Sequence, residues 1–214
     1  MPWPNAEARA MGESAVLIPV TSQEEAFAMR AAVTAAAAAG RIAGLVDVVV
    51  GEHNVVIVFD PLRLDPAAVV AIAASAPALD RRHEQVMEIP VVYDGADLRD
   101  VAEQVGHSVG DVVRRHGEPL YTAAFIGFSP GFAYLTGLDT ALHLPRRDTP
   151  RERVPPGSVA MAGPYTSVYP QATPGGWWLL GHTSVRMFDV RRAGAESAVA
   201  PGDRVRFVPA GDPL

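Results

Sequence analysis

Apolar and polar positions along the chain fall into two textures that meet near Tyr93. In the first, AVLIPV (15–20) is a short apolar run ended by a turn signal, which predicts a strand. TSQEEAFAMRAAVTAAAAAG then predicts a helix. Ser22 caps it, Glu25 completes a capping box, Phe27, Met29 and Val33 give it a packing face, and Gly40 stops it. In LVDVVVGEHNVVIVFDP two β-branched runs flank Gly51-Glu52-His53-Asn54 and predict a hairpin. DPAAVVAIAASA opens a second helix, with Asp65 as N-cap and Pro66 at the first helical position. VMEIPVVY (86–93) reads as a further strand. The order strand, helix, strand, strand, helix, strand is the split βαβ, or ferredoxin-like, pattern, assigned here to residues 1–92. The stretch before Ala15 has no basic region followed by an apolar run. It reads as a frayed, Pro-interrupted tail rather than a secretory signal.

In the second texture, DLRDVAEQVG and SVGDVVRRHG predict two short helices, the latter with Ser108 and Asp111 as a capping box and Gly117 as a stop. Short apolar segments follow, punctuated by Pro and Gly: LYTAAFIGF, GSVAMAG, WWLLGHT, VRMFDV and RVRFVP. Such punctuation predicts a β-barrel or compact sandwich over residues 93–214. The fold class is therefore α+β in two domains.

Composition narrows the chemistry. The chain has 214 residues, 49% of them hydrophobic, enough for one large or two small cores. No window approaches about 18 consecutive apolar residues, so no membrane span is predicted. A net charge of −6 argues against a nucleic-acid partner. Absence of cysteine excludes disulfides, zinc–thiolate sites and thiol nucleophiles, and makes the cytoplasm the expected location. All 18 basic residues are Arg, so this chain has neither the Lys of a Walker-type phosphate loop nor a Schiff-base Lys. The six histidines show no i, i+4 pair and no carboxylate cluster, so no metal site is predicted.

Gly127–Gly131, GFSPG, matches the G-x-S-x-G nucleophile elbow, and His182 and Asp189 complete the residue types of a triad. The residue after the elbow serine must donate its backbone N–H to the oxyanion hole. Here it is Pro130, which has none, so Ser129 reads as part of a tight turn. His116, ending a helix, reads as a C-terminal cap. His182 reads either as a hydrogen-bonded barrel residue or as a ligand-facing one. LPRRDTPRERVPPG sets Arg146, Arg147, Arg151 and Arg153 on a stiff Pro-rich track suited to an anion, or alternatively forms a solvated loop. In TPGGWWLLGHT the adjacent Trp177 and Trp178 face opposite sides of a strand. At least one of Gly175 and Gly176 is expected to hold a positive φ.

The series GFSPGFAYLTGLD, LPRRDTPRERVPPGSVAMAGPYTSVYP, TPGGWWLLGHT and PGDRVRFVP resembles the bacterial KipI family, whose members are also called the B subunit of 5-oxoprolinase or the first subunit of allophanate hydrolase. The resemblance covers nearly the whole chain and is densest from Phe125 to Phe207. It implies a ferredoxin-like first domain and a cyclophilin-like β-barrel second domain. It also implies partners: a homologous C-type subunit, and a third, A-type subunit. Together these carry out ATP-dependent opening of the 5-oxoproline lactam, a small cyclic amide, with Mg as the nucleotide's counter-ion. Some members instead bind and inhibit a sensor histidine kinase. Genuine allophanate hydrolysis is the weakest implication, since the chain has no amidase Ser-Ser-Lys set.

Carried onto this sequence, the resemblance makes Arg146, Arg151, Tyr165 and His182 candidate catalytic residues. Phe128, Pro130, Gly131, Phe132, Thr166 and Tyr169 are candidates for substrate or partner binding. So are Pro174, Gly175, Gly176, Trp177, Trp178 and Thr183. The chain departs from the family pattern at Ser167, where a glycine is common, at His182, where Arg is common, and at Ser129, where an apolar residue is common.

Overall fold

The computed structural model describes residues 7–77, 86–192 and 196–211. The chain divides into two compact units, residues 1–82 and 83–214. The Pro-interrupted tail up to residue 6 lies outside the described residues.

The first unit comprises β1 (Arg9–Ala10), β2 (Ala15–Pro19), α1 (Gln23–Ala38), β3 (Leu45–Val50), β4 (Asn54–Phe59) and α2 (Pro66–Ala74). Its sheet is antiparallel, in the order β1-β2-β4-β3. β2 and β3 therefore run parallel with β4 between them, the split βαβ topology. Val16, Ile18, Val55 and Ile57 are fully buried and alternate with less buried neighbours, as one-sided strands require. Ser22 caps α1 by accepting from Glu25 N. Glu25 reaches back to the N–H of Thr21, one residue before the cap, at 2.8 Å. Gly40, at φ +69°, ends the helix.

The expected fourth strand of this sheet is absent from it. Arg9–Ala10 occupies the edge beside β2 that a ferredoxin-like fold gives to its fourth strand. Val86–Val91, read from the sequence as that strand, belongs to the second unit as β5. There it pairs in parallel with Arg204–Pro209 over six residues. The division accordingly falls at 82/83, ahead of the expected 92/93.

In the second unit β5 is followed by α3 (Leu98–Val105), α4 (Val109–Gly117), β6 (Tyr121–Ile126), β7 (Ala133–Thr136), β8 (Arg151–Val154), β9 (Ser158–Ala162), β10 (Tyr165–Val168), β11 (Thr173–Gly175), β12 (Trp178–His182) and β13 (Arg204–Pro209). Seven strands form one mixed sheet in the order β12-β9-β10-β7-β6-β13-β5, and β8 and β11 form a separate ribbon. The sheet's two ends meet where Val92 and His182 exchange backbone hydrogen bonds of 2.9 Å each, so the barrel is nearly closed. Close approach at this seam needs residues without a Cβ. A Cβ at Gly181 would overlap the carbonyl of Val92, and one at Gly95 the carbonyl of Leu179. VRMFDV, expected as a strand, contributes only a Phe188–Ser197 bridge. Asp189 instead ties that segment into a turn by accepting from the backbone and guanidinium of Arg191.

Among the described residues, the apolar barrel interior holds a chain of hydrogen bonds centred on His116. His116, read as a helix cap, is wholly buried. Its Nδ1 lies 2.7 Å from Tyr93 Oη and its Nε2 lies 2.8 Å from Thr166 Oγ1. Thr166 gives its only hydroxyl proton to Ala160 O, at 3.0 Å. It therefore accepts from Nε2–H, and Tyr93 donates to Nδ1, which fixes a neutral tautomer with both nitrogens satisfied. Burial lowers the His116 pKa to about 3 and raises that of Tyr93.

Two outcomes are expected. A fragment of residues 83–214 should give a dispersed NMR spectrum, whereas residues 93–214, lacking β5, should not; equal dispersion from both would show β5 to be dispensable. Between the ordinary histidine pKa near 6.5 and about 3, the unfolded chain binds a proton that folded His116 refuses. Its contribution is complete above about pH 6.5, and stability falls below that at roughly 1.4 kcal/mol per pH unit. The His116 ring resonances should then stay constant from pH 8 to 5, and a titration midpoint near 6.5 would contradict a sealed, neutral imidazole.

Candidate functional site

The strands around β10 present two different faces. Thr166 and Val168 point into the barrel, and Tyr165, Ser167 and Tyr169 therefore point outward. Phe132, Tyr134, Trp177 and Leu179 join them on the outer face in a second apolar cluster. Its rings meet mostly edge to face: Phe132 is 5.2 Å from Tyr169 and 5.3 Å from Trp177, and Tyr134 is 5.5 Å from Tyr165. Phe125 stacks on Tyr134 at 4.4 Å. Such contacts contribute on the order of 1 kcal/mol each beyond burial. The β8–β11 ribbon packs onto this layer through Val154. It passes close over Tyr169, because a Cβ at Gly175 would overlap the Tyr169 hydroxyl.

A single buried carboxylate organises the charged residues beside this layer. Asp97 is 1% exposed. One oxygen accepts from Arg147 Nη1 and, at 2.7 Å, from Arg151 Nη2; the other accepts from Leu179 N at 2.7 Å. Asp97 stands at the N-cap of α3 yet makes no side-chain cap bond there. Arg151 thus has one terminal nitrogen anchored, while Nη1 is buried with no hydrogen-bond partner. Arg146 makes no ion pair among the described residues. Burial raises the phenol pKa values of Tyr134 and Tyr169, and the positive charge of Arg146 works against both shifts. Arg146 and Arg147 also line a cleft of about 520 Å³ with Trp178, Asp100 and Glu103.

The expected site residues separate into three groups. Arg151, Tyr165, Phe132, Tyr169, Gly175 and Trp177 belong to the aromatic layer and its ribbon, and Arg146 flanks them. Phe128 joins at the rim. It is 61% exposed, holds φ +65°, and meets Phe132 and Tyr169 edge to face. Gly131 supplies the turn behind it at φ +80°, against Phe188, and Pro130 is exposed.

Trp178 points the opposite way from Trp177. It packs on the barrel core, donates Nε1–H to Pro145 O at 2.7 Å, and lies under the Arg147 guanidinium at 5.4 Å. Pro174 is exposed on the ribbon.

Thr166, Thr183 and His182 lie elsewhere. Thr166 serves the interior hydrogen-bond chain. Thr183 accepts from Val185 N in the turn after β12. His182, four residues along β12 from Trp178 and so roughly 13 Å away, bonds Asp94 through Nδ1 at 2.8 Å on the exposed seam. The triad is not assembled, because Asp189 is engaged by Arg186 and Arg191. Neither Gly175 nor Gly176 holds a positive φ. Gly175 is required by its close approach to Tyr169, and Gly176 has 3.6 Å of clearance.

Sequence reasoning missed Asp97, Tyr134 and the ribbon strands. Asp97 carries no local signal beyond that of an ordinary helix cap.

The sequence model of the carboxyltransferase domain, subdomain C and D, matches residues 6–198. The B subunit of 5-oxoprolinase from Escherichia coli O157:H7 is 53% identical over 126 residues, 58% of this chain and 57% of that protein. Its counterpart of the same name from Bacillus subtilis (strain 168) is 36% identical over 153 residues, 70% of this chain and 62% of that protein. The matched stretch thus spans about three fifths of each relative's length. The crystal structure of TTHA0988 superimposes with a TM-score of 0.81 at 35% identity, over 94% of this chain and 40% of that one.

Truncating the Asp97 carboxylate leaves two guanidinium groups and the Leu179 N–H without their acceptor. Asp97→Ala should cost about 3 kcal/mol in chemical denaturation, since breaking a buried pair from one side is the expensive route. A loss below about 0.5 kcal/mol would mean that the 147–151 segment is held by other contacts.

Proposed function

Because the chain belongs to the carboxyltransferase domain, subdomain C and D, family, we propose that it acts as the B subunit of an ATP-dependent 5-oxoprolinase. In the cytoplasm, with a homologous C-type subunit, and a third, A-type subunit, it opens the 5-oxoproline lactam to glutamate. The names of the similar proteins support this role. The observation that carries the chemical part is the Arg151 guanidinium, clamped by Asp97 with Nη1 left over beside an aromatic wall.

Opening an amide concentrates negative charge on its oxygen. Donors fixed beforehand in a water-poor site stabilise such charge most, because they need no reorganisation as it develops. Arg151 is fixed in this way by Asp97. Arg146, free of any ion pair among the described residues, supplies a second cation, and Tyr165 and Phe128 offer ring faces to a small flat lactam. Among the described residues no three carboxylate or histidine groups come together to hold Mg. With no lysine, the chain has no Walker-type phosphate loop either. On this reading one of the partner chains holds ATP.

The test is co-expression with the two partner chains and measurement of ATP-dependent glutamate release. Arg151→Ala should lower kcat/KM at least 100-fold, about 2.7 kcal/mol, and Arg151→Lys should restore it only partly, because an ammonium cannot span two acceptors. Ser129→Ala should stay within about tenfold, on the order of 1.4 kcal/mol. Wild-type rates from Arg151→Ala, or no ATP-dependent release by the complete complex, would overturn the proposal.

A further inference from the structure

One residue of the outer face is held against two physical preferences at once. Phe128, at φ +65°, is the sole non-glycine residue with a positive φ among the described residues. A bulky L side chain enters that region only at a cost. Its ring is also 61% exposed, so apolar surface is left in water. The turn that displays it is tight. Ser129 N donates to Gly127 O at 2.7 Å, Phe132 N to Ser129 O at 3.0 Å, and Gly127 N to Phe132 O at 3.1 Å. Behind it Gly131 approaches Met187 and Phe188 so closely that a Cβ would overlap them. Strain of this kind persists only where the surroundings impose it, and it gathers at binding surfaces. Two more exposed apolar residues flank the ring. Pro130 stands in the same turn. Val190, 74% exposed, follows closely on Phe188, against which the turn rests. This second segment carries an excess of positive charge. Arg186 and Arg191 share the carboxylate of Asp189, Arg192 is exposed beside them, and Glu196 lies across from Asp189 as the one further acid.

We propose that this apolar knob, Phe128 with Pro130 and Val190, docks the chain on a protein partner whose surface offers an apolar socket with an acidic rim. Given the proposed function, on which the partner's identity rests, that partner is the homologous C-type subunit. A small lactam can meet one face of the Phe128 ring. It cannot also cover Pro130 and Val190, whereas a protein surface covers all three. Exposed aromatics that fill a partner's pocket are where interface energy concentrates, and the guanidinium groups alongside supply the complement to an acidic rim. Docking here also has a chemical effect. Phe128 rims the aromatic layer through Phe132 and Tyr169, so a chain seated on it shields that side of the layer from water.

The test is binding kinetics between the purified chain and the purified C-type chain, with melting curves of the free variants. Phe128→Gly and Phe128→Ala should each weaken the complex by about 30-fold or more. The two differ only by a Cβ at a positive φ, so Phe128→Gly should melt a few degrees above Phe128→Ala. The reverse order would show an unstrained turn and overturn the inference. Val190→Ser should weaken binding about fivefold, which keeps the surface testable if the turn variants fail to fold. Arg192→Glu should slow association about threefold at low salt and leave dissociation unchanged, as a rim charge does. No binding of the C-type chain by the wild type would overturn the inference. So would wild-type affinity in the Phe128 and Val190 variants with only the KM for 5-oxoproline raised, since the ring would then serve the ligand alone. A complex that forms through Phe128 and releases no glutamate removes the proposed reaction and keeps the docking surface. A complex that releases glutamate and holds Phe128→Gly at wild-type affinity does the reverse.

Discussion

The second unit is organised around one buried negative charge. Placing a carboxylate where water cannot reach it costs several kcal/mol unless partners replace the lost hydration. Asp97 finds three: two guanidinium groups and one backbone N–H. In satisfying itself it joins the start of α3, the edge of β12 and the segment from Arg147 to Arg151. That segment has little regular structure before β8; the carboxylate holds it in place together with the Arg147 N–H, which donates to Gly176 O at 2.8 Å. The helix loses its side-chain cap as a result, and its first turn is secured instead by Asp97 N donating to Leu179 O at 3.1 Å.

The same sheet treats polar groups in opposite ways on its two faces. Inside the barrel each donor and acceptor of the Tyr93–His116–Thr166 chain has its complement, and the imidazole is held neutral. A closed chain of this kind rigidifies a core and has nothing left to offer a ligand. Outside, the hydroxyl of Ser167 and a guanidinium nitrogen of Arg151 are left over, among rings that exclude water. Strand alternation produces the contrast: Thr166 and Ser167 are neighbours in sequence and belong to different chemistries.

What was legible in the sequence was local. Capping residues, β-branched runs and glycine stops placed both helices and the three main strands of the first unit, because those signals act within a few residues. Family resemblance brought Arg151, Tyr165, Tyr169 and Trp177 into one list, and the structure brings them to one layer. Three things were hidden. VMEIPV has the same strand signature whichever sheet it joins, and its partner lies at the far end of the chain. RERV and TPG are too short and too polar to stand out from a loop, since the ribbon draws its burial from the layer beneath. His116 read as a helix cap and Asp97 went unread, because the tertiary contacts that bury them leave no trace in neighbouring residues.

The position of β5 has a consequence for how this protein is made. Its one full strand neighbour is β13, which also separates it from β6. A ribosome releases β5 long before it reaches Arg204; at roughly 5–20 residues per second the delay is on the order of ten seconds. Throughout that interval an apolar strand waits with its backbone unpaired, and so does the β6 edge it will never touch directly. Open edges of this kind invite pairing with other nascent chains. The second unit is therefore a domain of high contact order that closes late, and its yield in the cell will depend on what shields those edges while translation finishes.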